Sequence, residues 1–204
     1  MNLTAVIILA GALAAADSAD GWEEVNDSDG IKIWVRDVPG ARVREVKAET
    51  VIPVEPKRIS AVLDDLEHYG EFMPYVVETT NVQPLPNGHI EYQRVDPPFV
   101  DMRDYTLRMI ITVDPTTGVI ERAWTEANDK GPPPRDGVVR VAINRGKWTF
   151  KPAPGGKTLL NYYLYTDPGG SIPAWIVNKA NTTSLPDLFA AVTKRSIDPA
   201  WKRN

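Results

Sequence analysis

Arg103 and Tyr105 stand two residues apart in the run Asp101-Met102-Arg103-Asp104-Tyr105-Thr106-Leu107-Arg108-Met109-Ile110-Ile111. In an extended strand successive side chains point to opposite sides. Arg103, Tyr105, Leu107, Met109 and Ile111 therefore share one side, and Met102, Asp104, Thr106, Arg108 and Ile110 the other. The first is the more apolar, and it carries a guanidinium at its end. A charge taken out of water costs several kcal/mol unless it is paired. Arg103 therefore meets a carboxylate, with Glu91 and Asp104 as candidates, or a ligand head group, or it sits at the strand edge with its stem covered and its head in water.

Other chemistries fail on inventory. The chain has no cysteine, and its two histidines, His68 and His89, lie in different elements without ligand spacing, as lone surface residues would. There is no Gly-x-Ser-x-Gly elbow, and residues 137–147 lack the spacing of a phosphate loop. The carboxylate pairs Glu23-Glu24 and Asp64-Asp65 suit solvated faces. No catalytic residue, metal or cofactor is expected. The net charge of -4, with no stretch concentrating Lys and Arg among aromatics, excludes a nucleic-acid partner. What remains is a hydrophobic small molecule in an apolar space with few polar groups.

The elements that must form that space are mostly strands. Period-two alternation and Pro/Gly breakers place strands at residues 22–26, 31–38, 42–52, 76–82, 88–95, 101–113, 118–126, 138–144, 146–151 and 157–166. Helical spacing occurs through Ile59, Val62, Leu63 and Leu66, with Pro56 in the first turn. Close strand spacing predicts a strongly curved antiparallel sheet. At 204 residues with 43% hydrophobic content, one domain over residues 20–204 can bury a substantial core.

The run Asp167-Pro168-Gly169-Gly170-Ser171-Ile172-Pro173-Ala174-Trp175-Ile176-Val177-Asn178 reverses the chain into a final helix. Pro168 presets φ, Gly169 supplies the positive φ of a type II turn, and Ser171 is placed to cap a helix starting near Pro173. In that helix Ile172, Trp175, Ile176 and Ala180 form one stripe, while Leu185, Leu188, Phe189 and Val192 form another, rotated by roughly half a turn. Pro186 bends the helix so that both stripes reach the sheet, or the helix splits in two at residues 182–184. Among the large side chains, Met109, Trp124, Tyr163 and above all Trp175 are the candidate ligand contacts. At the other end, Leu3 to Ala16 is apolar and is followed by Asp17-Ser18-Ala19-Asp20. This reads as a signal peptide over residues 1–19, hence a periplasmic or secreted protein.

Three segments together resemble the START family of lipid-transfer domains: Pro97 to Tyr105 with its Arg-Asp-aromatic start, Gly146-Lys147-Trp148, and Asp167 to Asn178. The likeness covers most of residues 21–195. It implies an α+β helix-grip fold, a curved antiparallel sheet wrapped around a long C-terminal helix with an internal hydrophobic cavity. It further implies one lipid or sterol carried without chemistry, with Arg103 facing the cavity and Trp175 and Asn178 on the gating helix. Such a carrier would act as a monomer in transient contact with membranes. The wider superfamily includes polyketide cyclases, and that resemblance implies the enzymatic alternative, in which Arg103, Tyr105 and Glu91 would steer an enolate with the tyrosine as proton donor.

Overall fold

The computed structural model describes residues 20–201, so the expected leader over residues 1–19 lies outside the described residues. Ten strands form one sheet: β1 (Glu23–Ser28), β2 (Ile31–Arg36), β3 (Glu45–Ile52), β4 (Val76–Leu85), β5 (Gly88–Val95), β6 (Met102–Val113), β7 (Ile120–Glu126), β8 (Val138–Arg140), β9 (Ile143–Ala153) and β10 (Lys157–Asp167). Their order is β1-β2-β3-β10-β9-β7-β6-β5-β4, all antiparallel, with β8 added parallel to β6. Among the described residues four α-helices accompany it: α1 (Pro56–Val62), α2 (Tyr69–Phe72), α3 (Ala174–Thr183) and α4 (Leu185–Ile197).

Alternation along the strands decides what is covered. In β10, Thr158, Leu160 and Tyr162 are buried, whereas Leu159, Asn161 and Tyr163 are half-buried on the other side. In β9, Trp148 and Phe150 take the inner side. Onto this face α4 lowers Leu185, Phe189 and Val192, one helical stripe of buried residues. The Phe189 ring packs edge-on against both Trp148 and Tyr162, each at 5.9 Å between centroids. Each such side chain contributes about 1.5–3 kcal/mol by leaving water.

The C-terminal helix is a kinked pair. The turn at Ser184 keeps helical angles, and its bonds Ser184 N to Ala180 O and Leu188 N to Ser184 O carry the helix across. The missing N–H of Pro186 loosens it there. The α4 stripe matches the sequence expectation, but the α3 stripe does not. Val177 is the residue α3 buries, against Val43 and Tyr165, while Trp175 and Ile176 are exposed. The reason is docking at the sheet's end rather than across its face. The Arg44 backbone N–H donates to Asn178 Oδ1 at 2.9 Å, and Arg42 Nη1 donates to the Ile172 carbonyl at 2.9 Å. Gly169 and Gly170 both adopt left-handed φ, near 70°, as the reversal requires. Ser171 does not cap: the helix begins after Pro173 without a side-chain cap.

The expected strands 138–144 and 146–151 are divided differently, because β9 runs straight through Gly146. This glycine is not a breaker but a site of close approach. A Cβ there would lie 2.3 Å from Trp124 Cζ2 and 2.4 Å from the Tyr163 carbonyl oxygen. Gly146→Ala is expected to lower unfolding free energy by about 1–3 kcal/mol through overpacking. Urea denaturation with an unchanged slope checks it, and wild-type stability would show that Trp124 has room to move.

Candidate functional site

The site is assembled from β5 and β6. Their register sets Val95 opposite Arg103, Gln93 opposite Tyr105, Glu91 opposite Leu107 and His89 opposite Met109. Leu107 and Met109 belong to the main core, so all eight share its side of the sheet. Across the next strand Met109 faces Trp124.

On this apolar side runs a hydrogen-bonded polar ladder. The Tyr105 hydroxyl donates to Gln93 Oε1 at 3.0 Å, Gln93 Nε2 donates to Glu91 Oε1 at 2.7 Å, and His89 Nε2 lies 2.8 Å from Glu91 Oε2. Glu91 is only 2% exposed, and these bonds are what make its burial tolerable. Burial, with the nearby Glu91 charge second, pushes the Tyr105 phenol well above its ordinary range. His89 is buried rather than lone on the surface. Ile90 and Tyr92, buried on the opposite side of the same strand, hide the alternation that would have assigned His89 and Gln93 inward.

Arg103 ends the row. It is 3% exposed, so the residue is almost wholly covered, and neither proposed carboxylate serves it. Asp104 binds Arg140 through two bonds of 2.6 and 3.0 Å on the other side of the strand, and Glu91 is engaged by His89 and Gln93. Among the described residues no carboxylate lies within 4.0 Å of Arg103. Its Nη1 donates to the Asp101 carbonyl, and its Nε has no partner. Burial lowers its pKa against the raising influence of Asp101. The turn before α3 closes over it: a Cβ on Gly170 would lie 3.6 Å from Arg103 Nη2.

Half-covered apolar side chains packed on the same core include Tyr105, Ile111, Leu164 and Leu188. Trp124 closes the far wall, its Nε1 donating to Asn144 Oδ1 at 3.0 Å. Arg103, Tyr105, Met109 and Trp124 thus share one side of the sheet. Tyr163 stands on the opposite side of the sheet, where its hydroxyl donates to Glu45 Oε2 at 2.6 Å. Burial first, and that hydrogen bond second, push its phenol up to about 12. Asn178 is bound to the Arg44 backbone, and Trp175 is 69% exposed on α3.

A carboxylate latches the turn that covers Arg103. Asp167 Oδ2 accepts from Arg42 Nε at 2.7 Å, and its Oδ1 accepts from the Gly169 N–H at 2.9 Å. The Arg42 hydrogen bond outweighs burial and holds the Asp167 carboxyl below its ordinary value of 3.8. The latch is therefore fully present above that value and is lost as pH falls through the lowered one. Amide exchange in residues 168–183 is expected to stay constant from about pH 5 to 8, once corrected for intrinsic rates, and to quicken below about pH 4. An unchanged protection factor at low pH would remove Asp167 as the latch.

Residues 52–193 match the sequence profile of a family described as polyketide cyclase / dehydrase and lipid transport. The chain is 25% identical over 96% of its length to an uncharacterized protein of Pseudomonas aeruginosa, covering 98% of it. It is 26% identical over 90% of its length to START domain-containing protein 10 of Mus musculus, of which it spans 64%. A STAR-related lipid transfer protein from Xanthomonas axonopodis superposes with a TM-score of 0.80 at 26% identity, over 88% of this chain and 100% of that one.

Proposed function

The chain belongs to the polyketide cyclase / dehydrase and lipid transport family and has the START helix-grip fold, and from that premise we propose that it binds and carries one lipid or sterol without altering it. The observation that carries this is Arg103, a buried cation at the strand end with no carboxylate within 4.0 Å among the described residues. The ligand's polar end lies against Arg103 and the Gly169-Gly170 turn, where an oxygen acceptor satisfies the guanidinium. Its apolar body runs from Tyr105 past Leu107 to Met109 and Trp124, against Leu164 and Leu188. A lipid-sized ligand gaining about 0.3 kcal/mol per heavy atom binds near micromolar, enough for a shuttle.

Cargo enters by movement of α3, which buries one residue of its ten. Its exposed Trp175 and Ile176 suit transient insertion into a membrane surface. Trp175→Ala is expected to slow vesicle-to-vesicle transfer several-fold while the melting temperature stays unchanged, since the ring packs on little. Equal transfer rates would remove this residue from membrane contact. The carrier acts as a monomer, in the periplasm or outside the cell if residues 1–19 are its export signal.

Mass spectrometry of organic extracts tests the proposal, comparing protein purified gently from its native envelope with protein denatured beforehand. One enriched lipid or sterol is the expected result. An extract matching the control rejects stable carriage. The buried His89–Glu91 pair, joined to Tyr105 through Gln93, supports a second reading, a cyclase folding a poly-β-keto chain, whose check is turnover of such a substrate.

A further inference from the structure

The side of the sheet turned away from the core holds a separate concavity of about 360 Å³. That is at the small end of ligand pockets, which run from about 300 to 1,000 Å³. It is built by register. Trp34, Lys47, Tyr163 and Lys147 are successive cross-strand neighbours on β2, β3, β10 and β9. Two residues further along, Glu49, Asn161, Thr149 and Glu121 form the next row. Each alternates in its strand with a core residue, so both rows face outward.

Trp22, just before β1, folds over this surface. The Lys47 ammonium lies 4.6 Å from the Trp22 ring centre and 5.1 Å from that of Trp34, and makes no hydrogen bond or ion pair among the described residues. Asn161 Nδ2 donates to Glu49 Oε2 at 2.7 Å, leaving the amide oxygen of Asn161 without a bond to any described group. Lys147 Nζ donates to Glu121 Oε1 at 2.8 Å.

The two ammonium groups of the first row face the two carboxylates of the second, and their charges cancel. An anionic ligand drawn to Lys47 meets Glu49, and a cationic one drawn to Glu49 meets Lys47. A neutral ligand whose groups both donate and accept hydrogen bonds meets a partner at each position. The indole of Trp34 and the phenol ring of Tyr163 add flat apolar surface beside those polar groups. A sugar ring has this combination, hydroxyls around its rim and C–H groups on its face.

We propose that this concavity binds a neutral saccharide, its ring on Trp34 and its hydroxyls on Lys47, Asn161 and Glu49. The sheet separates it from the ladder and Arg103, so occupancy of the two sites is independent.

The test titrates the full chain with glucose, with N-acetylglucosamine, and with glucuronic acid as the anionic counterpart, followed by saturation-transfer NMR. Saturable binding of a neutral sugar in the millimolar range is expected, with glucuronic acid about tenfold weaker. Asn161→Ala and Trp34→Ala are each expected to weaken it about tenfold at an unchanged melting temperature. Should Trp34→Ala fail to fold, Lys47→Met serves as the second variant, because that side chain ends in the concavity. Tighter binding of glucuronic acid, binding indifferent to the variants, or no saturable response up to the solubility of the sugars overturns the proposal.

Discussion

Arg103→Met is expected to empty the ligand site and leave the fold as stable as before, or more stable. The side chain is buried, its Nε has no partner, and no carboxylate within 4.0 Å depends on it among the described residues. Removing it strands no opposite charge and relieves a desolvation cost, so an apolar residue of similar length is neutral or favourable. The ligand loses a charged hydrogen-bond donor worth about 1.5–3 kcal/mol, which is about ten- to a hundredfold in affinity. Retained lipid measured by mass spectrometry, beside a melting curve, reads both effects. Arg103→Lys keeps the charge but not the planar fork, and is expected to hold intermediate amounts. A variant that unfolds, or one that retains full cargo, would make Arg103 a structural residue.

Arg122→Met is expected to do the opposite, costing about 3–5 kcal/mol of stability, a large share of the 5–15 kcal/mol that holds a domain together. Arg122 is 1% exposed and reaches from β7 to the end of α1. Its Nη1 donates to the Ser60 hydroxyl at 3.0 Å, to the Ser60 carbonyl at 3.2 Å and to Asp64 Oδ1 at 2.8 Å, and its Nη2 donates to the Leu63 carbonyl at 2.9 Å. It supplies a cation and donors where a helix end leaves carbonyls unsatisfied. Truncation orphans them and leaves Asp64 without this cation. Asp64→Asn in the same background is expected to restore part of the loss, and a double-mutant cycle by urea denaturation measures the coupling. Additive single effects would show that Arg122 acts by packing alone.

These two arginines show how far the sequence reaches. Arg103 was legible because it ends the apolar alternation of β6, and Trp124 because it lies on the core side of β7. Arg122 occupies that same side, two residues from Trp124, yet nothing local marks it as buried, since its partners lie 58 to 62 positions away. Asp64 beside Asp65 resembles a solvated pair, but one binds Arg122 and the other accepts from His68 and Trp201. His89 was missed because β5 is buried on both sides, where alternation loses its contrast.

By itself the sequence determined most of the strands, the glycine turn before α3 and the apolar stripe of α4, all products of backbone preference and side-chain period within one segment, while β8 and β9 divide elsewhere than expected. Period two also fixed which residues share a side. Tertiary structure decided which side is covered, that Asp104 goes to Arg140 and leaves Arg103 without a carboxylate, and that α3 buries Val177 while exposing Trp175. Those outcomes depend on the pairing of strands and helices far apart in the chain, and local periodicity carries no information about which distant partner arrives.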